Sequence, residues 1–251
     1  MSEDESTTMP DKASIRRAVK NHYGQLAQGK TGECCCAATL GKAGAVPSEA
    51  SEVYAGCGSP VEAAAIKQGE VVVDLGSGGG MDIFKASKLV GESGRVIGVD
   101  ATPEMIWRAR ETAKKHGFSN VEFRLGEIEH VPMDSNSVDT VLSNCVINLT
   151  PDKGVAFRES YRILKPGGRL TVSDTLAECT VRVDPKDLNA WTQCVAGALP
   201  EDEYINLIKN AGFVDIEVKG KTQSCCAQGI ASITVTASKP ENAGNRAVRI
   251  P

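Results

Sequence analysis

The chain has 251 residues, of which 41% are hydrophobic and 24% charged. This composition excludes disordered and fibrous proteins, and the length is enough to bury a sizeable core. The 28 basic and 32 acidic residues give a formal net charge of -4, which argues against nucleic acid as a partner. No apolar run reaches the roughly 20 residues that cross a bilayer, and the first residues lack the pattern of a secretory signal. We therefore predict a cytoplasmic protein with no membrane or nucleic-acid partner.

The first predicted element is an N-terminal helix. Apolar residues recur at helical spacing from Ser14 to Leu26, and Gly29 follows as a stop signal. From Gln28 to Pro60 the sequence is rich in small residues and has no hydrophobic period. We predict a loop region that carries cysteines there.

From residue 69 onward, short apolar runs alternate with longer amphipathic segments. The apolar runs predict strands at 71–73, 96–99, 121–125, 138–142 and 170–173, and the amphipathic segments predict helices at 81–90, 104–116 and 156–164. Such alternation is typical of an α/β fold with a mostly parallel sheet. Towards the end of the chain we predict a helix at 201–210, strands at 214–218 and 230–236, a loop at 220–229 and a polar tail at 239–251.

A glycine-rich loop follows the first strand. Residues 74–82 read Asp-Leu-Gly-Ser-Gly-Gly-Gly-Met-Asp, and a glycine loop between a strand and a helix can cradle a nucleotide. The sixth position counted from Gly76 is Met81 and no Lys-Ser/Thr pair follows, so the loop is neither a dinucleotide fingerprint nor a P-loop. Asp74 and Asp82 at its ends favour a ligand that carries positive charge.

The second strand ends at Asp100, where a carboxylate can accept both hydroxyls of a ribose. A ligand with an adenosine, a cationic centre and no phosphate is S-adenosylmethionine. We predict its amino-acid end over 76–78, its ribose at Asp100 and its adenine near 126–129. The side chain of Glu129 either faces this ligand or lies in a solvated turn, and the residues alone leave both interpretations open.

The cysteines are unusual in number and placement. There are nine, which is odd for a disulfide framework in a chain without an export signal, so we expect reduced thiols. They form a triple run, an adjacent pair and four single positions: Cys34, Cys35, Cys36; Cys225, Cys226; Cys57, Cys145, Cys179, Cys194. No pair has zinc-knuckle spacing. Thiol chemistry is therefore the hypothesis to test, with buried single cysteines as the alternative.

Several longer motifs carry a specific resemblance. They are Gly-Cys-Gly-Ser-Pro at 56–60, the glycine loop at 74–80, Val-Asp-Ala-Thr-Pro-Glu-Met at 99–105, Gly-Glu-Ile-Glu at 126–129, Ser-Asn-Cys-Val-Ile-Asn-Leu at 143–149, Leu-Lys-Pro-Gly-Gly-Arg-Leu at 164–170 and Cys-Val-Ala-Gly-Ala-Leu at 194–199. With these motifs, the stretch from Tyr23 to about Ser238 resembles the arsenite methyltransferases, class I S-adenosylmethionine-dependent enzymes that methylate trivalent arsenic.

The resemblance implies a doubly wound, mostly parallel seven-stranded sheet of the Rossmann-like type, with an N-terminal helix and a C-terminal region that covers the substrate. It divides the chain into an N-terminal helix with a cysteine-bearing loop region (1–68), an S-adenosylmethionine-binding domain (69–178), an arsenic-binding region that completes the sheet (179–238) and a tail (239–251). A chain of this size is expected to be a monomer.

The resemblance also implies the substrate and its ligands. Arsenite and methylarsenite would be methylated while Cys57, Cys145 and Cys194 hold the arsenic as thiolates, which suits a thiophilic, three-coordinate element. Methyl transfer oxidises arsenic, so a thiol pair must return two electrons. One of the N-terminal cysteines, Cys34, Cys35 or Cys36, would take part, with a thioredoxin- or glutathione-type reductant as partner. The residues predicted to bind S-adenosylmethionine are Asp74, Gly76, Ser77, Gly78, Asp100, Ala101, Met105, Glu127, Ile128 and Asn144.

Two other functions stay open on the sequence. A thiol-rich metalloid-binding protein would need no methyl donor and would leave the glycine loop without a purpose. A methyltransferase for another small molecule would need a base near residues 144–148, and none is evident there. The Cys225–Cys226 pair either captures arsenic or is an incidental surface pair, and Cys179 is assigned to packing or to the surface.

Overall fold

The computed structural model describes residues 10–30, 46–178, 184–223 and 229–241. Its centre is a seven-stranded sheet of β1 (Val71–Leu75), β2 (Arg95–Asp100), β3 (Val121–Leu125), β4 (Val138–Asn144), β5 (Leu164–Ala177), β6 (Val214–Gln223) and β7 (Ile230–Ser238). The strand order is β3-β2-β1-β4-β5-β7-β6. β1 to β5 are parallel, whereas β7 runs antiparallel to both β5 and β6. The predicted doubly wound, mostly parallel sheet is confirmed.

The helices fill the connections between the strands. They are α1 (Lys12–Ala27), α2 (Ser48–Ser51), α3 (Pro60–Ala63), α4 (Met81–Val90), α5 (Pro103–Lys115), α6 (Lys153–Ile163), α7 (Leu188–Thr192) and α8 (Glu201–Asn210), with a short 3-10 helix at Ile147–Leu149. Side-chain hydrogen bonds set the starts of two of these helices, α1 and α6. The carboxylates of Asp11 and Asp152 accept from backbone N–H groups in the first turns of α1 and α6, which satisfies donors that a helix leaves open.

Two hydrophobic cores lie on opposite faces of the sheet. Neighbouring residues of β1 divide between them: Val72 packs with Phe84 of α4, and Val73 packs in the cluster that contains Phe157 of α6 and Tyr204 of α8. Successive side chains of a strand point to opposite faces, so the apolar run of β1 reflects burial on both sides. This sandwich fixes the carboxyl edge of the parallel strands, where a doubly wound sheet binds its ligand.

Several sequence predictions differ from the structure. The loop predicted at 220–229 is wrong at its start, because β6 continues through Gln223 and pairs with β7. The region predicted as loop from Gln28 to Pro60 contains the short helix α2. Lys239, the first residue of the predicted tail, is buried, and its ammonium donates to the carbonyls of Tyr161 and Leu164.

Among the described helices, none combines the length and the apolar character that a membrane crossing requires.

Candidate active site

A cleft opens at the carboxyl edge of β1, β2 and β4. Its walls include all ten residues predicted from the sequence to bind the methyl donor: Asp74, Gly76, Ser77, Gly78, Asp100, Ala101, Met105, Glu127, Ile128 and Asn144. Cys145, which follows β4, lines the same cleft. The described chain therefore brings the predicted donor site and one of the predicted arsenic ligands into one space.

The glycine loop is shaped by its backbone. Gly76 has a φ of +72°, and a Cβ at this position would overlap the side chain of Val146. A larger residue is therefore excluded by both conformation and space. The N–H of Gly78 donates to a carboxylate oxygen of Asp100 at 2.9 Å, and the other oxygen accepts from Thr102 N at 2.8 Å. Asp100 thus fixes the loop from the neighbouring strand.

Three buried carboxylates surround the loop. Burial raises the pKa of Asp74, Asp82 and Asp100, and for Asp74 the charges of the other two raise it further. Within the described part of the chain, Asp74 Oδ1, Ser77 Oγ and Asp82 Oδ1 are buried without a hydrogen-bond partner. Buried polar groups normally have partners, so these atoms are suited to a polar ligand. The carboxylates of Asp74 and Asp82 favour a ligand that carries positive charge, as S-adenosylmethionine does.

Asn144 connects the cleft to the loop that carries Cys57. Its Oδ1 accepts from the backbone N–H of Cys57 at 3.0 Å and from that of Gly58 at 3.3 Å. Its Nδ2 lies 2.8 Å from Asp82 Oδ2, 2.8 Å from Tyr54 Oη and 2.9 Å from the Gly58 carbonyl. One amide therefore holds the Cys57 loop, β4 and α4 together.

Helix α1 covers the cleft, which sequence analysis did not predict. Arg16 of α1 pairs with Glu129 at 2.8 Å and Lys20 pairs with Glu127 at 2.5 Å. Glu129 is 10% exposed and also accepts from Thr150 Oγ1 at 2.5 Å, so it does not lie in a solvated turn. The apolar stripe of α1 shows in the sequence that the helix packs on something, but only the fold identifies what it covers.

The three predicted arsenic ligands meet beside the cleft. Cys57, Cys145 and Cys194 are buried together with Leu149 in one apolar cluster. The Cα atoms of Cys57 and Cys145 are 5.7 Å apart, and the thiol of Cys194 donates to the carbonyl of Cys145 at 3.0 Å. Segments separated by dozens of residues thus bring three cysteines into one buried cluster. Within the described residues, the ligand atoms that lie within 4.8 Å of one another are the sulfurs of Cys57 and Cys145 and an oxygen of Asp174, and the sulfur of Cys194 is not among them.

The state of two of these sulfurs differs from the prediction of reduced thiols. Cys57 and Cys145 form a disulfide, because the Asn144 contacts bring their backbones to a separation that a disulfide spans. Cys194 lies outside this disulfide. The prediction of reduced thiols is therefore wrong for the Cys57–Cys145 pair in this form of the protein.

Cys145 and Cys194 share an unusual backbone conformation. Their φ angles are +56° and +60°, in the left-handed region that residues other than glycine rarely adopt. Hydrogen bonds hold both: Cys145 N donates to Ser173 O at 2.8 Å, and Thr175 Oγ1 donates to the Cys194 carbonyl at 2.7 Å. Such strain of about 1–3 kcal/mol per residue is typical of functional sites.

A buried carboxylate that sequence analysis missed lies next to the sulfurs. A carboxylate oxygen of Asp174 and the sulfurs of Cys57 and Cys145 all lie within 4.8 Å of one another. Burial raises the pKa of Asp174 to about 6, and burial lowers the pKa of nearby Lys153 to about 8. The sequence signal was available, because the strand predicted at 170–173 places Asp174 directly after its carboxyl end, but Asp174 was not included among the candidate residues.

Three further side chains lie close to the cleft or to the cysteine cluster, and the other candidate cysteines lie outside the described residues. Tyr54 and Met81 line the cleft, and Trp191 packs its ring against the ammonium of Lys153 at 5.3 Å. The predicted redox cysteines Cys34, Cys35 and Cys36 lie outside the described residues, as do Cys179, Cys225 and Cys226.

Comparisons with known proteins agree with this geometry. A family model described as a methyltransferase domain matches residues 66–212. The chain is 46% identical over 181 residues to an arsenite methyltransferase of Halobacterium salinarum, covering 70% of this chain and 46% of that protein. It is 38% identical over 218 residues to an arsenite methyltransferase of Aquipseudomonas alcaligenes, covering 80% and 62%. The chain thus spans about half to three fifths of these relatives.

A solved structure extends the comparison to three dimensions. The crystal structure of an arsenic(III) S-adenosylmethionine methyltransferase from Chlamydomonas reinhardtii is similar with a TM-score of 0.68 and 33% identity, covering 80% of this chain and 73% of that chain. The cleft, the glycine loop and the cysteine cluster are thus found in a chain that belongs to the methyltransferase-domain family and, within it, to the arsenite methyltransferases.

Proposed function

We propose that this chain methylates trivalent arsenic, as arsenite and methylarsenite, with S-adenosylmethionine as methyl donor, and that Cys57, Cys145 and Cys194 bind the arsenic as thiolates. The observation that carries the proposal is the meeting of these three cysteines beside a cleft whose walls hold buried carboxylates and unpartnered polar atoms. The named activity of the similar enzymes supports it.

The donor site follows from the residues that line the cleft. Asp74 and Asp82 would face the cationic amino-acid part and Asp100 the ribose hydroxyls. When bound, S-adenosylmethionine supplies a methyl group on a positively charged sulfur. The protein contributes position: the glycine loop and α1 would orient the donor, and the cysteine pocket would hold arsenic with its lone pair towards the methyl group.

The cysteine pocket explains why arsenic would be the acceptor. Trivalent arsenic prefers soft sulfur ligands, and three thiolates in an apolar cluster satisfy its three bonds while excluding water. Two of these sulfurs are joined in the disulfide form, so a thiol reductant of the thioredoxin or glutathione type would have to reduce them before arsenic binds. Because methyl transfer takes arsenic from the trivalent to the pentavalent state, the same class of reductant would supply two electrons per cycle.

The direct test is transfer of a labelled methyl group from S-adenosylmethionine to arsenite by the reduced chain. We expect labelled methylated arsenic, and we expect Cys57→Ser, Cys145→Ser and Cys194→Ser each to lower the rate by at least about 10-fold. Cys179→Ser is the matched control and should keep the parent rate. Equal rates in all four variants would contradict the ligand assignment.

Other outcomes would favour the other functions. Tight arsenite binding without labelled product would point to a metalloid-binding protein. Labelled product on an organic acceptor, with none on arsenic, would point to another methyltransferase.

A further inference from the structure

The buried carboxylate of Asp174 has no part in the proposed binding of either substrate. Its oxygens accept from Thr175 N at 2.9 Å, Asn148 N at 3.1 Å and Tyr204 Oη at 3.1 Å. These three donors come from β5, the 3-10 helix region and α8, so the carboxylate is fixed from three sides. It is fully buried and lies within 4.8 Å of the sulfurs of Cys57 and Cys145.

A fixed negative charge next to three arsenic-binding thiolates is electrostatically unfavourable. Three thiolates already satisfy trivalent arsenic, and a further buried anion beside them is unfavourable while the arsenic group is neutral. A group in such a position is expected to act in a state other than the ground state. Such a state is one in which charge develops during methyl transfer.

Methyl transfer moves a positive charge onto arsenic. The arsenic lone pair forms the As–C bond while the bond from the methyl carbon to the donor sulfur breaks and its electron pair stays on sulfur. The donor loses its positive charge and leaves as S-adenosylhomocysteine. The neutral tris-thiolate arsenic becomes a cation, and its oxidation state rises from three to five.

We propose that Asp174 stabilises this developing positive charge, and thereby accelerates methyl transfer without binding either substrate. This inference rests on the proposed function. A preorganised charge in a site that excludes water acts strongly on charge that appears only in the transition state. The three hydrogen bonds hold the carboxylate in place before reaction, so little reorganisation is needed.

Lys153 is the cation whose charge lowers the pKa of Asp174. Its ammonium is buried, donates to the carbonyl of Thr150 at 3.2 Å and packs on Trp191. A positive charge near arsenic opposes methyl transfer, and Asp174 offsets it. Neutralising Asp174 alone would leave that cation unopposed.

The experiment compares Asp174→Asn with Tyr204→Phe in the full reduced chain at one fixed pH. Asparagine keeps the size of the side chain and loses the charge, whereas Tyr204→Phe removes one hydrogen bond to the same carboxylate and leaves its charge. Three quantities are measured: arsenic retained per chain after gel filtration, S-adenosylhomocysteine affinity by calorimetry, and kcat with saturating substrates.

We expect Asp174→Asn to lower kcat by about 10- to 100-fold while arsenic retention and S-adenosylhomocysteine affinity stay within about twofold of the parent. Tyr204→Phe keeps the charge and removes one of the three hydrogen bonds that hold it, so its kcat should fall by less than that of Asp174→Asn. Loss of arsenic retention in proportion to kcat, or an unchanged kcat in Asp174→Asn, would overturn the inference. Absence of methylated arsenic in the parent would instead overturn the proposed function.

A second variant keeps the inference testable if Asp174→Asn does not fold. Asp174→Ser removes the charge with a smaller side chain that can still form a hydrogen bond. We expect the same fall in kcat as in Asp174→Asn, with arsenic retention within about twofold of the parent. A kcat equal to that of the parent would contradict an electrostatic role for Asp174.

Discussion

Asn144 is the residue that joins the two halves of the candidate site. Its Oδ1 accepts from the N–H groups of Cys57 and Gly58, and its Nδ2 donates to Asp82. Each group is partly or wholly buried, so an apolar side chain at 144 would leave several of them without a partner. Removing such a partner costs about 1–3 kcal/mol per buried group.

We therefore predict that Asn144→Leu lowers the free energy of unfolding by several kcal/mol in urea titrations. Tyr54→Phe is the comparison, because it removes the hydroxyl that accepts from Asn144 Nδ2 and donates to the Gly58 carbonyl and leaves the contacts of Asn144 itself to Cys57 and Gly58 in place. It should cost about 1 kcal/mol or less. Similar losses in the two variants would show that the amide does not hold the Cys57 loop.

Asp174 gives a prediction for pH. Burial raises the pKa of Asp174 from the ordinary aspartate value of 3.8 to about 6 in the folded protein, so the folded state binds the proton more tightly than the unfolded state. The contribution of Asp174 to the free energy of unfolding is therefore fully present below pH 4 and is lost as the pH rises through 6. The loss amounts to about 3 kcal/mol.

The measurement is the free energy of unfolding of the parent and of Asp174→Asn at pH 4 and pH 7. Between these values the parent should lose about 3 kcal/mol more than the variant. The raised pKa values of Asp74, Asp82 and Asp100 act in the same direction in both proteins, so the difference isolates Asp174. An equal change in the free energy of unfolding between pH 4 and pH 7 in the two proteins would contradict the raised pKa of Asp174.

At the scale of elements, the glycine loop distinguishes two kinds of constraint. Gly76 and Gly78 both have positive φ angles, of +72° and +50°. A Cβ at Gly76 would overlap Val146, whereas a Cβ at Gly78 would have no atom of the described chain within 4 Å. The first position is constrained by conformation and space, the second by conformation alone.

Gly78→Ala should accordingly cost about 1–2 kcal/mol, the strain of a left-handed residue. Gly76→Ala should cost clearly more and should also weaken S-adenosylhomocysteine binding, because the loop must move away from Val146. Urea titrations and calorimetry measure the two effects. Equal costs would mean that the loop tolerates a side chain at Gly76 by a shift that the structure does not show.

The elements themselves were predictable where the hydrophobic period is strong. The bounds of α4, β3 and α8 are those that the sequence predicts, since apolar residues mark one face or one run without interruption. The start of β5 was missed because its Lys-Pro-Gly-Gly segment has the composition of a turn. Leu164 pairs with Val138 and Arg169 pairs with Thr140, so residues 165–168 form an irregularity in the ladder, and β7 pairs with β5 only from Arg169 onward.

Within the candidate site, residues on one strand–loop unit were predictable and residues brought together by packing were not. Asp74 and Asp100 lie at the carboxyl ends of β1 and β2, Gly76 follows β1, and the three have a recognisable spacing. The contact of Asp174 with two sulfurs, the cover formed by α1 and the Cys57–Cys145 disulfide depend on chain segments far apart in sequence. No local pattern encodes such distances.

At the scale of the whole molecule, the disulfide links segments that are 88 residues apart. A cross-link over a long stretch restricts the unfolded chain, and removal of such a bond typically costs about 2–5 kcal/mol. Reduction should therefore prepare the site for arsenic while it lowers the stability of the ligand-free protein. Bound arsenic would restore a cross-link between the same segments.

We predict that a dithiol lowers the thermal midpoint of the ligand-free parent and that arsenite raises it again. Cys57→Ser, which cannot form the disulfide, should show no such drop on reduction. Scanning calorimetry with and without the dithiol gives both values. A drop of equal size in Cys57→Ser would assign the effect to other cysteines.

Arsenic X-ray absorption spectroscopy on the reduced chain, loaded with one equivalent of arsenite, shows whether Cys57, Cys145 and Cys194 jointly bind trivalent arsenic. We expect an arsenic shell of three sulfur atoms in the parent, and a shell with oxygen in place of sulfur in each single serine variant. An all-sulfur shell that persists when all three cysteines are replaced, or oxygen neighbours in the reduced parent, would contradict joint binding.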